Sequence, residues 1–345
     1  MRIEPLAVAD DGALRAAYDV RAAAFEHDHP IDPPDPFEEF ALVAREGMPS
    51  FDHEWWVARD DVGTTLGLLT LRLPLLDNTA QVRAELHVAP AHRRRGVGAA
   101  LCARLVDRRR SLGRSHVVTE IADPLGGAGT SAGSRFAAAH GARQVLVEVF
   151  RTLDLTGLSE DELAPLRVEA LEASRGYDVV AWRDRAPEEF VDDVAMLSHR
   201  MSTDVPMGDM TYEPEAWDAG RVRDKERQTI RAGRRTFTAA ARDLATGRLV
   251  AFTTVGVSPA QPAIAQQWNT LVLREHRGHR LGLLLKLANL DCVRAACPDV
   301  RVVHTWNAES NEPMIRINER MGFVPRLLWS EWQLDLRRTA LPGTH

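Results

Sequence analysis

The sequence predicts a mixed α/β (α+β) chain built from two tandem domains. The chain has 345 residues, which is enough for two domains that each bury a core. A run of glycine and arginine at 92–98 has a relative at 276–282, and each copy follows a strand-like segment and opens a helix-like one. Strand-like and helix-like segments also come in the same order before and after residues 157–175. This repeated order indicates a duplicated domain more strongly than either run alone.

Hydrophobic periodicity gives the elements of the first domain, which we place at 1–156. The loop 27–36 is rich in Pro, Asp and His and is predicted to be irregular. Strands are predicted over Arg2–Pro5, Glu54–Arg59, Leu66–Leu73, Gln81–Val88, His116–Ile121 and Gln144–Asp154. Helices are predicted over Asp11–Phe25, Phe37–Arg45, Val97–Leu112 and Ser134–His140.

The acidic segment 157–175 is predicted to link this domain to a second one at 176–345. Ser159 and Glu162 have the spacing of a capping box, so a helix start is expected inside the linker. Strands of the second domain are predicted over Asp178–Arg183, Arg235–Arg242, Leu249–Val257, Ala263–Leu273, Val300–Trp306 and Leu327–Leu336. Its helices are predicted over Pro187–Met201, Pro214–Ala232, Leu281–Ala296 and Glu312–Met321.

Composition argues against several functional classes. No apolar run approaches the roughly 18–20 residues that span a bilayer, and the N-terminal residues show no apolar secretory stretch. Cys102, Cys292 and Cys297 lack the spacing of a metal site or a disulfide framework. The net charge of −6 disfavours general nucleic-acid binding. We therefore expect a cytoplasmic protein with neither nucleic-acid nor membrane partners, and a homodimer remains open.

Each glycine-arginine run has the features of an anion site. The first N–H groups of a helix have no partner within the helix, and the helix dipole places partial positive charge there. Glycine lets the backbone approach an anion closely, and arginine adds forked donors that suit phosphate. Both runs are therefore predicted to bind a phosphate group.

The first run, Arg93 to Gly98, fits the pattern Arg/Gln-x-x-Gly-x-Gly/Ala and resembles the acyl-CoA pyrophosphate signature of the GNAT N-acetyltransferases. The second run fits less fully, because Arg280 stands where the first glycine would be. Residues 305–311 and 318–323 then resemble the strand, helix and Gly-Phe turn that close a GNAT domain. The resemblance covers most of the chain and implies two GNAT-like domains, each a mixed, mostly antiparallel sheet flanked by helices, similar in plan to mycothiol synthase.

The resemblance also implies acetyl-CoA as cosubstrate, a small-molecule primary amine (a metabolite or an antibiotic) as acceptor, and no metal. The turn after each strand would hold the pyrophosphate, and the strand end would pair with the pantetheine amides. In the first domain the implied residues are Leu86, His87, Val88, Arg93, Arg94, Arg95, Gly96, Val97, Gly98 and Ala99. In the second they are Leu271, Val272, Leu273, Arg277, Gly278, His279, Arg280, Leu281, Gly282, Asn307 and Asn311. The alternatives are a second turn that binds nothing and an Asn307 that merely ends a strand.

Acetyl transfer to an amine needs a base for the ammonium and an acid for the leaving thiolate. GNAT enzymes often carry the base as a Glu on the strand before the turn, where Glu85 stands, and alternation puts Glu85 and His87 on one face. Both are therefore predicted to be catalytic, unless they simply face solvent. The second domain has Asn269 at the position of Glu85, which favours the first domain as the catalytic one. The Tyr that many GNAT enzymes use as acid is replaced by Ala137 and Asn318.

Three other features have a less specific interpretation. His27, Asp28, His29 and Asp32 lie in one Pro-rich loop, and we interpret them as loop residues rather than metal ligands. Trp268 is predicted to pack in a core or between the domains rather than to stack on a ligand. The walls of the acceptor pocket are expected from 27–45 and 202–231, which carry no recognisable signature.

Two rival functions remain. A catalytically inactive acyl-CoA-binding or regulatory protein on the same fold would explain the absent Tyr. A nucleotide-binding module is disfavoured, because the sequence has neither a P-loop Lys-Ser/Thr nor a G-x-G-x-x-G run.

Overall fold

The computed structural model describes residues 1–335, so Leu336 of the last predicted strand lies outside the described residues. The chain forms two compact units, and neither is one continuous stretch. Unit 1 consists of Met1–Leu146, Asp209–Thr211 and the described residues from Leu328 onward. Unit 2 consists of Val147–Gly208 and Tyr212–Leu327.

The structure contains a counterpart of every predicted strand and helix. The strands are β1 (Arg2–Pro5), β2 (Phe51–Arg59), β3 (Thr65–Pro74), β4 (Gln81–Val88), β5 (His116–Pro124), β6 (Arg143–Asp154), β7 (Tyr177–Arg183), β8 (Arg235–Asp243), β9 (Leu249–Val257), β10 (Ile264–Val272), β11 (Val302–Ala308) and β12 (Val324–Asp335). The helices are α1 (Asp11–Asp28), α2 (Phe37–Glu46), α3 (Val97–Ser111), α4 (Ala132–Ala139), α5 (Glu160–Ala173), α6 (Val191–Asp204), α7 (Ala219–Arg231), α8 (Leu281–Ala296) and α9 (Glu312–Arg320). Within residues 1–335, no helix is long and apolar enough to cross a membrane.

The predicted helix 214–232 starts later than expected. Residues 214–218 are irregular, and α7 begins at Ala219 because the Asp218 side chain accepts a hydrogen bond from the backbone N–H of Arg221 and caps the helix. The irregular segment that precedes α7 is thereby free to line a cavity.

The sheet of unit 1 has the strand order β1-β2-β3-β4-β5-β12. Neighbours among β1 to β4 are antiparallel, whereas β4 and β5 are parallel. Helices α1 and α2 cover one face, where Leu14 and Phe40 pack with Leu68. Helix α3 covers the other face, where Leu101 packs with Leu69. The alternation of leucines along β3 thus supplies both cores.

The sheet of unit 2 has the order β6-β11-β10-β9-β8-β7. Strands β10 and β11 are parallel, and the remaining described pairings are antiparallel. Helix α8 packs on β8 and β9, and α6 packs on β9 and β10. Both units therefore confirm the predicted fold class of a mixed, mostly antiparallel sheet flanked by helices.

The sequence segments at the predicted domain boundary belong elsewhere than expected. Residues 148–154 of β6 pair with β11 and complete the sheet of unit 2, while Leu334 of β12 lies in the core of unit 1. The segment 157–175, predicted as a linker, forms α5 behind the expected capping box of Ser159 and Glu162. Helix α5 is part of unit 2, because an apolar face of three residues packs into its core (Leu163, Leu166 and Ala170).

Candidate active site

The two glycine-arginine turns share one backbone conformation. In the first, Arg94 and Gly96 have positive φ values of 61° and 83°; in the second, Gly278 and Arg280 have 90° and 55°. Each turn therefore has one arginine and one glycine at its two left-handed positions, in opposite order. The Arg280 substitution does not alter the path of the second turn. Both turns lead into a helix N-terminus, α3 and α8, whose free N–H groups suit an anion.

The strands before the turns part from their parallel neighbours. Pairing of β4 with β5 ends at Arg83 and Val118, and pairing of β10 with β11 ends at Gln267 and Thr305. The last residues of β4 and β10 thus leave backbone groups on that edge for an extended ligand. Leu273 lies one residue beyond the end of β10.

The first arginine of each turn fixes the turn to its strand. Arg93 and Arg277 donate from Nε to the carbonyls of Val88 and Val272, each at 3.2 Å. Arg93 also makes two 2.7 Å hydrogen bonds to Asp28 at the end of α1. Burial favours a raised pKa for Asp28, but the bonds from Arg93 outweigh it and lower the pKa. Both carboxylate oxygens of Asp28 thus pair with Arg93. Residues 1–335 contain no group of His, Cys, Asp and Glu arranged to hold a metal ion.

Glu85 lies in a cluster of charged side chains in unit 1. Its Oε1 is 3.1 Å from Arg72 Nη2, and its Oε2 is 3.7 Å from Arg21 Nε and 3.6 Å from His87 Nε2. Burial favours a raised pKa, but Arg72, His87 and Arg21 outweigh burial and lower the pKa of Glu85 far below its ordinary value. Glu85 and His87 share a face, as alternation predicts. A carboxylate held this strongly between guanidinium groups is a weak base.

The equivalent part of unit 2 is built differently, because β10 contains a β-bulge. The register between β9 and β10 shifts between Gln267 and Asn269, whereas β3 and β4 pair without interruption. The bulge turns two consecutive residues, Trp268 and Asn269, towards the same cavity. Gly256 makes room for the indole, since a Cβ there would lie 2.3 Å from Trp268 Cζ2. Trp268 therefore lines a cavity, contrary to the expectation of simple core packing.

This cavity has a volume of about 410 Å³ and lies wholly within unit 2. Two helices contribute residues at helical spacing, and two strands contribute alternating ones. The helical walls are Val194, Ser198, Met201 and Ser202 of α6 and Val222, Lys225, Glu226 and Thr229 of α7. Strands β8 and β9 add Thr236, Thr238, Phe252 and Thr254. The irregular connection between α6 and α7 adds Val205, Met207, Tyr212, Glu215 and Trp217. The cavity thus extends to Asn269, beyond the point where β10 and β11 part.

The asparagines at the end of unit 2 hold its last elements together. The Asn318 amide donates to the side-chain oxygen of Asn307 on β11, and Asn318 is fully buried. The Asn311 side chain caps α9 by accepting from the N–H of Met314 at 3.4 Å. His304 is buried with its ring against Phe150, which fits a structural histidine. The predicted cofactor roles of Asn307 and Asn311 stay predictions.

Comparisons with known proteins agree with this architecture. Residues 14–125 match the model of the Acetyltransferase (GNAT) family. A tandem GNAT protein from the clavulanic acid biosynthesis pathway is 32% identical over 99% of both chains, with a TM-score of 0.80. The chain belongs to the GNAT acetyltransferase family. Membership supports acyl transfer to an amine.

Two more distant GNAT structures share the fold alone. A GCN5-related N-acetyltransferase from Sphaerobacter thermophilus is 18% identical over 97% of this chain and 95% of its own, with a TM-score of 0.66. A glucosamine N-acetyltransferase region of a fungal multi-domain β-N-acetylglucosaminidase is 15% identical over 96% of this GNAT chain and 38% of its own, with a TM-score of 0.66. No curated protein matches the chain.

The cavity residues were missed by sequence reasoning, although the segment 202–231 was expected to form a pocket wall. Alternation along a regular strand cannot place both Trp268 and Asn269 on one face. The bulge that does so is identified only from the pairing of β10 with β9. One signal was available in the sequence: the chain has only two lysines, Lys225 and Lys286, among its 43 Lys and Arg residues.

Proposed function

We propose that the protein is an acetyl-CoA-dependent N-acetyltransferase whose acceptor, a primary amine of a small molecule, binds in the cavity of unit 2. The observation that carries this proposal is the position of Asn269. This residue lines the cavity and follows the last β10 residue paired with β11, in the strand that runs into the turn 277–282. An acyl-CoA with its pyrophosphate on that turn and its pantetheine along β10 would bring its thioester to the cavity.

The cavity suits the chemistry of amide formation. A bond forms between the amine nitrogen and the acetyl carbon while the bond from that carbon to sulfur breaks. The ammonium loses two protons, one of which ends on the CoA thiol and one in solvent. Because the walls are largely side chains of α6, α7 and the irregular connection between them, they hold the amine close to the strand edge and exclude bulk water from it.

Unit 1 is the less suitable half for transfer, although its turn fits the family pattern in full. The predicted base Glu85 is engaged by Arg72 and Arg21, and this ion cluster occupies the strand face equivalent to the unit 2 cavity wall. Unit 1 keeps a turn that suits a phosphate. We therefore propose that unit 1 binds acyl-CoA without transferring its acetyl group.

A matched pair of variants tests the assignment of transfer to unit 2. Gly278→Asp and Gly96→Asp each place a carboxylate at a left-handed position with no atom within 4 Å of the new Cβ. Asp is among the residues that tolerate this conformation, so the fold is expected to persist. The added charge repels the pyrophosphate of the same unit. We expect Gly278→Asp to lower thiol release from acetyl-CoA with primary amines at least tenfold, and Gly96→Asp to change it less than threefold.

The neutral variants Gly278→Asn and Gly96→Asn control for backbone strain and should retain most of the activity. The reverse outcome, with Gly96→Asp inactive and Gly278→Asp active, would move transfer to unit 1 and restore Glu85 as the base. Acetyl-CoA binding in calorimetry without thiol release from any amine would instead support the rival function of a binding protein.

A further inference from the structure

Lys225 stands out in the unit 2 cavity because lysine is so rare in this chain. Arginine supplies the positive charge almost everywhere else, and the second lysine, Lys286, is buried beneath the opposite face of the sheet. Lys225 lies on α7 one turn from Val222 and Thr229, and all three line the cavity. Lys225 is exposed to solvent, although the protein atoms around its ammonium still remove part of its hydration.

The carboxylates that line the cavity are already engaged by protein donors. Glu215 accepts from the Tyr212 hydroxyl at 2.7 Å and from Trp217 Nε1 at 2.9 Å. Glu226 accepts from Arg223 at 2.7 Å and from the N–H of Ala186. None of these groups depends on a ligand for a partner.

Asp184 completes this acidic set. It accepts from the N–H of Thr236 at 2.8 Å, and the Arg183 guanidinium lies 3.4 Å from its other oxygen. All three cavity carboxylates thus have protein partners.

The Lys225 ammonium differs from these carboxylates. Within residues 1–335 it makes neither an ion pair nor a side-chain hydrogen bond. Burial lowers the pKa of Lys225, and Arg234 lowers it further, while Glu215 offsets part of the change. Lys225 is a cation without a partner among the described residues, in a cavity whose carboxylates have protein partners, so an anionic ligand can pair with it.

The remaining walls define the rest of such a ligand. Trp217 and Trp268 face the cavity together with Phe252, Met201 and Met207. These side chains suit an apolar body, and methionine adapts to irregular shapes. Lys225 is the one cation among the described residues that line the cavity, and with Glu215 nearby it matches a monoanion better than a phosphate dianion, which Glu215 would repel more strongly.

We infer that the acceptor is an apolar amino carboxylic acid whose carboxylate pairs with Lys225, while its amine is presented at Asn269 for acetylation. This inference rests on the proposed function and adds the class of acceptor. Lys225 is then a specificity-determining residue, since it distinguishes acids from simple amines. It takes no part in the chemical step, because it binds the carboxylate of the acceptor and the carboxylate does not react.

Matched acceptor pairs test the inference. Thiol release from acetyl-CoA is measured with phenylalanine against 2-phenylethylamine, tryptophan against tryptamine, and leucine against 3-methylbutylamine. In the unmodified protein we expect kcat/KM to be at least tenfold higher for the acid of a pair. Lys225→Met should remove this preference by raising KM for the acid at least tenfold more than KM for the matching amine. Lys225→Arg should restore at least part of the preference.

Lys286→Met is the matched control, since it removes the other lysine at a site outside the cavity; it should leave the acid preference intact. An equal preference for both members of each pair, unchanged in Lys225→Met, would overturn the inference and leave the proposed function standing. An equal fall in kcat for acids and amines in Lys225→Met would also overturn it, because it would place Lys225 in the chemical step. Absence of thiol release with every amine would overturn the proposed function as well.

The scarcity of lysine allows a second readout that is independent of turnover. Reductive methylation with ¹³C-formaldehyde labels Lys225 and the N-terminus, while Lys286 is only 3% exposed. Binding of phenylalanine should shift the Lys225 methyl signal and raise its pKa, because a nearby carboxylate favours the charged form. A Lys225 signal that responds equally to 2-phenylethylamine would contradict pairing with a carboxylate.

Discussion

The two lysines show how far the surroundings of a single residue decide its role. Lys225 is exposed in the unit 2 cavity, whereas Lys286 is 3% exposed on α8 among Leu290, Val303 and Phe323. Its ammonium lies 5.4 Å from the Phe323 ring centroid. Burial lowers the pKa of Lys286 to about 7. The burial of Lys286 cannot be predicted from the sequence, because a charged residue in an amphipathic helix is normally assigned to the solvent face.

We predict that Lys286→Met stabilises unit 2 and does so most at low pH. The pKa of Lys286 is about 7 in the fold and near 10.5 when unfolded, so the folded state binds fewer protons between these values. Below pH 7 the buried charge costs its full penalty, of order 2–5 kcal/mol, and the penalty fades as pH rises towards 10. Thermal unfolding of unit 2 at pH 6 and at pH 10 measures the effect. A gain in Tm that is equal at the two pH values would contradict it.

Individual elements were predicted more securely than the details within them. Apolar spacing and glycine predicted α8 at the observed residues, and the two glycine-arginine runs predicted the turns that lead into α3 and α8. Arg280 departs from the family pattern but keeps the turn, because an arginine can adopt the left-handed conformation at a modest energetic cost. The bulge at Trp268 could not be predicted from the sequence, because it depends on pairing between β9 and β10 rather than on either strand alone.

Gly256 provides a test of the bulge and of the cavity it shapes. In Gly256→Ala the new Cβ would meet the Trp268 ring at 2.3 Å, so the indole must move into the cavity. We expect a loss of about 1–3 kcal/mol in stability and at least a tenfold fall in kcat/KM for the acceptor, with little change in acetyl-CoA affinity. Enzyme kinetics and thermal unfolding give these quantities.

Gly67→Ala is the matched control on β3 in unit 1, where the new Cβ would meet the Leu101 side chain at 2.9 Å. It should lower stability by a similar amount and leave acceptor kinetics unchanged. Equal kinetic effects of Gly67→Ala and Gly256→Ala would show that lost stability, rather than the Trp268 position, reduces activity.

At the scale of the whole molecule, the duplication was evident from the sequence but the division into units was not. Local patterns predicted β6 and β12 as strands, yet they contain no information about which sheet each strand joins. That choice depends on pairing between residues far apart in sequence, such as Asp154 with Val302. The polar composition of 157–175 likewise suggested a linker, because only three residues of α5 are buried.

A crossed pair of core substitutions tests this division. Leu153 lies near the end of the first repeat but is buried in the core of unit 2, and Leu334 lies near the end of the second repeat but is buried in the core of unit 1. Replacement of a buried leucine by alanine leaves a void in the core and lowers the free energy of unfolding by about 2–5 kcal/mol. We expect Leu153→Ala to lower amide hydrogen-exchange protection in α8 and to leave α3 unchanged. Leu334→Ala should do the opposite. If each substitution instead weakened the half of the sequence in which it stands, the units would be two sequential domains with strands β6 and β12 in their own repeats.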